Sequence, residues 1–282
     1  MPGILGAPQA EVNPGQLDDL NDLEDWASLA AMVASLAAGT QTFAPLYKEV
    51  KRLLTHSLQK SEWQPGEALP AEARLAERFH VSIGTLRKAV DELVAEQVLV
   101  RQQGRGTFVA THGPSRLMFQ FFRIVREDGA RELPQPELLG FERGRAAGHE
   151  ASALAIQPGD RVVRVRNLLR LGGAPIVLDD IVLAQSLFPD LTERTFRSRA
   201  STIYNLYQTR YGINVVRASE QLRATTADRA SARILAVPPG APLLEIHRIA
   251  MSYHSSPVEL RRSRVNTAHH AYSSELGKGH GA

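Results

Sequence analysis

The 282-residue chain contains no cysteine. Disulfides, thiolate metal sites and cysteine nucleophiles are therefore excluded, and the absence fits a reducing compartment. Lysine and arginine are missing from residues 1–47, which instead carry six acids: Glu11, Asp18, Asp19, Asp22, Glu24 and Asp25. Long apolar runs are missing too. The stretch 26–38 falls short of the about 20 residues that a membrane helix needs, and acids precede it where a signal peptide would be basic. The expectation is a cytoplasmic protein with no membrane partner.

What is present suits ordinary globular domains. Apolar residues make up 43% and charged residues 22%, enough for conventional cores, and the length allows one to three domains. The net charge of +3 conceals a division. Residues 48–112 are only slightly basic at +2, whereas 113–282 carry +7. Net charge does not mark a nucleic-acid reader here; the placement of charges has to.

Residues 81–109 read VSIGTLRKAVDELVAEQVLVRQQGRGTFV. Ser82 is a good N-cap, and Leu86, Val90, Leu93 and Val94 follow at helical spacing. Residues 98–101 and 107–109 read as two short strands around a turn with Gly104, Arg105 and Gly106. Upstream, 71–79 predicts another short helix, with His80 and Val81 as the turn between the two. Residues 43–60 predict a longer one, with Leu46, Val50, Leu53, Leu54 and Leu58 on one stripe. Helix, turn, helix and hairpin form the layout of a winged helix-turn-helix.

The same segment resembles the DNA-binding domain of GntR-family transcription regulators. The residues that carry the likeness include Pro65-Gly66, Leu69-Pro70, Glu72, Leu75-Ala76, Val81-Ser82, Gly84-Thr85, Arg87, Ala89, Leu93 and Gly106-Thr107-Phe108-Val109. The resemblance implies that the helix starting at 82 enters a major groove and that the wing tip enters a minor one. Candidate contacts to double-stranded DNA are Arg74, Ser82, Thr85, Arg87, Arg105 and Gly106. Arginine can grip guanine through two hydrogen bonds, glycines let the wing approach closely, and a narrow minor groove attracts arginine. Two positions depart from the family pattern. Ala73 follows Glu72 where an arginine is usual, with Arg74 one place later, and Ile83 stands where arginine often follows the serine.

Residues 110–115, ATHGPS, read as a linker and hinge. Beyond it, 116–126 predicts a strand and 127–136 a loop. Residues 161–171 and 174–183 predict a strand hairpin, 201–211 a helix, and 215–224, 242–252 and 257–266 three more strands, with a helix over 227–235. Mostly antiparallel strands with a few helices make an α+β domain. This half resembles the UTRA ligand-sensing domain of the HutC subgroup, on Gly173-Ala174-Pro175-Ile176, Asp179, Phe188-Pro189, Tyr204, Tyr211-Gly212, Pro239-Gly240, Pro242-Leu243-Leu244, Arg248 and Pro257-Val258-Glu259.

That resemblance implies a chorismate-lyase-like sheet that binds a small, anionic effector rather than catalysing a reaction. Candidate ligand-binding residues are Arg166, Arg170, Asp179, Ser201, Tyr204 and Glu259, with Arg164 as the alternative basic residue. Val265 stands where some relatives have a ligand-contacting tyrosine. No metal or cofactor is expected. His254, His269 and His270 lack ligand spacing, and neither a P-loop nor a Gly-x-Ser-x-Gly elbow occurs.

The expected organisation is an acidic extension over 1–42 with a possible helix at 17–38, and a reading head over 43–111. A linker over 112–116, a sensing and dimerising domain over 117–273 and a tail over 274–282 follow. Met32 is an alternative translation start. The expected function is that of a homodimeric regulator, a repressor by family habit, bound to an inverted-repeat operator and modulated by a metabolite. A lyase-like enzyme and a ligand-independent DNA-binding protein that only dimerises through its second domain are the alternatives.

Overall fold

A computed structural model describes residues 45–113, 121–199 and 201–274. The helix expected over 17–38 and residues 116–120 of the strand expected over 116–126 lie outside the described residues; of the rest of that strand only Ile124–Arg126 is extended.

The first helix, α1 (Leu46–Gln59), buries Val50, Leu53, Leu54 and Leu58 on the stripe that the sequence marks out. Helices α2 (Glu72–Arg78) and α3 (Ile83–Ala95) follow. His80, at φ +49°, makes the turn between them. Lys51 ties α1 to α3 through Glu92 at 2.9 Å and Glu96 at 2.5 Å. Leu86, Ala89, Val90 and Leu93 of α3 face the small core.

The wing is an antiparallel pair, β1 (Leu99–Gln102) and β2 (Gly106–Val109). Its free edge is not left open. The Leu69 amide donates to the Thr107 carbonyl at 2.8 Å and the Val109 amide to Glu67 at 2.9 Å. This third, irregular strand braces the hairpin, because a two-stranded hairpin alone is marginally stable in water.

The larger half is built on a six-stranded antiparallel sheet in the order β4-β5-β6-β9-β8-β7. Its strands are β4 (Gln135–Arg145), β5 (Arg161–Leu171), β6 (Ala174–Ala184), β7 (Arg217–Thr226), β8 (Pro242–Met251) and β9 (Pro257–Asn266). The short strands β3 (Ile124–Arg126) and β10 (His270–Tyr272) pair separately. One face of the sheet is covered by α5 (Glu193–Arg197) and α6 (Ile203–Tyr211), which pack Phe196, Leu206 and Tyr207 against Val163, Val165 and Ile181. The other face carries α4 (Gly148–Leu154) at one end, on Val162. At the other end lies α7 (Arg229–Leu235), which packs on Leu168, Leu178 and Leu243. Because both faces are partly covered, β5 (RVVRVRNLLRL) alternates only in part, with apolar neighbours at 162–163 and 168–169.

The α+β architecture, the hairpin over β5 and β6 and the strands β7 to β9 agree with the sequence. The sequence did not anticipate β4, α4, α5 or β10. Strand β4 includes the end of the expected loop and is mostly exposed, with Pro136, Gly140 and Gly144 along it. An edge strand of that composition carries no hydrophobic period to find.

Candidate functional site

Two surfaces stand out, one on each half. On the first, Ser82 caps α3: its hydroxyl accepts from the Thr85 amide at 3.1 Å and lies 2.9 Å from the Thr85 hydroxyl. The serine is thereby committed to the helix start and presents that N-terminus outward. Arg87 is 59% exposed in its side chain and is steered by Glu72 at 2.9 Å. Glu72 also accepts from Arg101 of the wing at 3.2 Å, so one carboxylate aligns arginines from α3 and β1. Ile83 is 46% exposed at the first turn of α3. An isoleucine left this open presents apolar surface at the helix start.

At the wing tip Gly104 has φ +71° and Gly106 φ +109°, conformations that side-chain-bearing residues avoid. Nothing crowds either glycine. Arg105 between them lies with its guanidinium 5.6 Å from the Phe108 ring centre. Arg74 is exposed on α2. Arg74, Ser82, Thr85, Arg87, Arg105 and Gly106 thus all belong to the unit of α2, α3 and wing.

The second surface is a cavity of about 350 Å³ between the sheet and the start of α6. Phe121, Phe122, Leu133 and Leu169 form its apolar wall, and Asn167, Arg199, Ser201, Tyr204, Arg248 and Arg261 supply polar groups. Beside it lies a buried ionic lattice. Arg261 donates to both oxygens of Glu259, at 2.9 and 3.0 Å, and to Asp179 at 3.3 Å. Ser263 donates to Asp179 at 2.6 Å. Tyr204 and Tyr207 donate to the two Glu259 oxygens at 3.2 and 2.7 Å. Arg248 is held by Glu220 at 2.6 Å and by the Phe121 carbonyl at 2.5 Å.

Burial governs the ionisation of this lattice. It pushes the Asp179 carboxyl up, against the pull of Arg261. It also pushes the Tyr204 phenol up to about 12, with the Glu259 charge adding to it, so both tyrosines remain donors. Burial would lower Arg261, but Glu259 and Asp179 outweigh it and hold the guanidinium well above its ordinary range.

The structure divides the ligand residues expected from sequence. Ser201 and Tyr204 line the cavity. Asp179 and Glu259 lie in the lattice behind it. Arg166 and Arg170 do not join them. Asn167 is the partner of Asp179 across β5 and β6, and Arg166 is the partner of Asp180. Arg166 therefore stands on the opposite face, bonded to Asp180 at 2.7 Å. Arg170 sits at the strand end, bonded to Glu137 at 3.0 Å and to the Gly173 carbonyl. Arg164 is also on the far face, paired with Glu150. The reason is the two-residue period of a strand: a shift of one residue moves a side chain through the sheet. A wider concavity of about 800 Å³ lies on that far face, but its arginines already have carboxylate partners.

A group of three or more potential metal ligands is absent from the described residues, and no described helix is long and apolar enough to cross a membrane.

Comparison with known proteins settles the class. The family model described as the UTRA domain matches residues 130–271, half of the chain. The model of bacterial regulatory proteins of the gntR family matches residues 46–109. The chain is a GntR-family regulator of the HutC subgroup. The regulator is 33% identical to the ligand-binding domain of a GntR-family transcriptional regulator from Bordetella bronchiseptica. That match covers 56% of this chain and 99% of the other, with a TM-score of 0.54. It is 29% identical over 220 residues to the "Probable fructoselysine utilization operon transcriptional repressor" of Escherichia coli K12, covering 76% of this chain and 88% of that protein. It is 28% identical over 221 residues to the histidine utilization repressor of Pseudomonas putida, covering 78% and 86%.

This GntR-family protein is a DNA-binding regulator with an effector-binding domain, not an enzyme. Asn167, Arg199 and Arg261 are polar residues around its cavity that sequence reasoning missed, as is Thr202, while Arg248 had entered only as part of the UTRA likeness. An asparagine carries no sequence signal of function. The two arginines are told from the other basic residues only by burial, which no local pattern in the sequence reports.

Proposed function

We propose that the regulator is a cytoplasmic homodimeric repressor whose two reading heads, each over about 43–111, bind an inverted-repeat operator. A small anionic metabolite in the cavity beside α6 weakens that binding. Arg87, Thr85 and Ile83 read base edges in the major groove, Ser82 fixes the helix start, and Arg105 between Gly104 and Gly106 enters the minor groove. Arg74 approaches the backbone phosphates. Ser201 and Tyr204 meet the effector, while Asp179 and Glu259 hold Arg261 and the tyrosines in position behind it. Twofold symmetry of the protein calls for twofold symmetry in the operator.

One observation supports the coupling above all. Helix α6, whose first turn forms the cavity wall, also grips the chain leaving the wing: Gln208 bonds Ala110 and His112, and Thr202 donates to the His112 carbonyl at 3.4 Å. An effector that moves the start of α6 therefore acts directly on the segment beneath the reading head. A coupling of about 1–3 kcal/mol would change DNA affinity about 5–150-fold.

The test is selection of preferred duplexes from a random pool, followed by titration with metabolites. Enrichment of a palindrome and its release by a bound metabolite are expected. Enrichment of no symmetric site would overturn the reading.

A further inference from the structure

Two polar side chains at the cavity have buried atoms without a hydrogen-bond partner. Asn167 is wholly buried on the central strand β5, yet neither Oδ1 nor Nδ2 has a hydrogen-bond partner. Such a pair is rare in folded proteins and asks for a cause. Arg199 donates from Nη1 to the Phe196 carbonyl at 2.6 Å and stacks on that ring at 4.5 Å, but its buried Nε has no partner. No described carboxylate pairs with it. Burial, together with the nearby charge of Arg261, disfavours its charged form. The other two arginines of the cavity differ, because Glu220 neutralises Arg248 and Glu259 with Asp179 neutralises Arg261.

These vacancies describe a ligand. One uncompensated guanidinium asks for one negative charge, and a planar fork suits a carboxylate. An unfilled carboxamide asks for an acceptor and a donor side by side, as an amide or urea edge presents them. Phe121, Phe122, Leu133 and Leu169 ask for an apolar body of modest size. Resting on the effector reading above, we infer that the regulator senses a small monocarboxylate bearing an amide-type edge, with Arg199 taking the carboxylate and Asn167 reading the edge. A phosphate ester, with close to two charges and no donor–acceptor edge, fits this arrangement poorly.

The test uses the full chain and defined probes. N-acetylglycine and N-carbamoylglycine carry both features, propionate and butyrate lack the edge, and inorganic phosphate and glycerol 3-phosphate carry the wrong anion. Calorimetry is expected to show the amide-bearing acids binding more than tenfold more tightly than the plain acids, since a site built to hydrogen-bond a group rejects analogues that lack it. Asn167→Leu is expected to abolish that preference. Arg199→Gln is expected to weaken every carboxylate.

Asn167→Leu supplies an independent readout without ligand. Removing two unpartnered buried atoms is expected to raise the Tm by about 2–8 °C. Tighter binding of the phosphates, no binding by either amide-bearing acid, an unchanged preference in Asn167→Leu, or a fall in its Tm would each overturn the inference. The effector reading fails separately, if an acid binds in the cavity and DNA affinity does not move. A ligand of another class that shifts DNA affinity and is lost in Arg199→Gln would overturn only the class proposed here.

Discussion

Gln208 holds the main chain on both sides of Thr111. Its Nε2 donates to the Ala110 carbonyl at 3.0 Å and its Oε1 accepts from the His112 amide at 2.9 Å. The same side chain is bonded to Asn214, which donates to the Tyr253 hydroxyl at 3.2 Å. His112 lies against Phe121 and Tyr204, with ring centres 5.8 and 5.9 Å away, and both of those residues line the cavity proposed for the effector.

Gln208→Leu should therefore do two things. It removes two hydrogen bonds to buried main chain, which costs about 1–3 kcal/mol in urea unfolding. It should also lower the factor by which effector changes DNA affinity, since the linker is no longer fixed to α6. DNA titrations with and without the effector read that factor; an unaltered factor in a folded variant would mean the coupling runs elsewhere.

Arg87→Ala should reduce discrimination of the preferred duplex by about 1–3 kcal/mol, because a two-bonded arginine contact is lost. Arg105→Ala should weaken binding to all duplexes and make the salt dependence shallower by about one counterion. Competition binding at several salt concentrations separates the two. The thermal unfolding of each should stay near that of the parent, since both side chains are solvent-facing.

Ile83→Ala tests the exposed isoleucine. Stability should change by no more than about 0.5 kcal/mol, as for other surface positions. Affinity should fall more for the selected operator than for random DNA. Equal loss on both would remove Ile83 from base recognition.

Glu150 offers a prediction in pH. Arg164 bonds it at 2.6 and 3.0 Å and the Ala147 amide donates to it at 2.8 Å, and chiefly the Arg164 bond holds its carboxyl below the ordinary value of 4.5. A carboxylate depressed in the folded state stabilises fully above its unfolded pKa, and that gain disappears as pH falls through the folded one. Glu150→Gln should thus cost about 1–2 kcal/mol at pH 7, reduced because the Arg164 side chain is 35% exposed. Unfolding curves from pH 7 downward should show the two proteins converging below pH 4.5.

The sequence by itself determined the reading head and most of the sensor's strands. Ser82 as a cap, the apolar stripes of α1 and α3, the glycines around Arg105 and the hairpin turn at Gly172-Gly173 are local signals. Each acts within a few residues, so the chain displays them in order. Only the tertiary structure decided the cavity and its lining. Whether Arg166 or Asn167 faces it depends on strand registration, where one residue reverses the face. Arg261 is separated by 82 positions from Asp179, the acid it meets. Arg199 is marked out by its burial and by the lack of a carboxylate partner among the described residues. Burial and pairing between distant segments are properties of the folded sheet, and no window along the chain contains them.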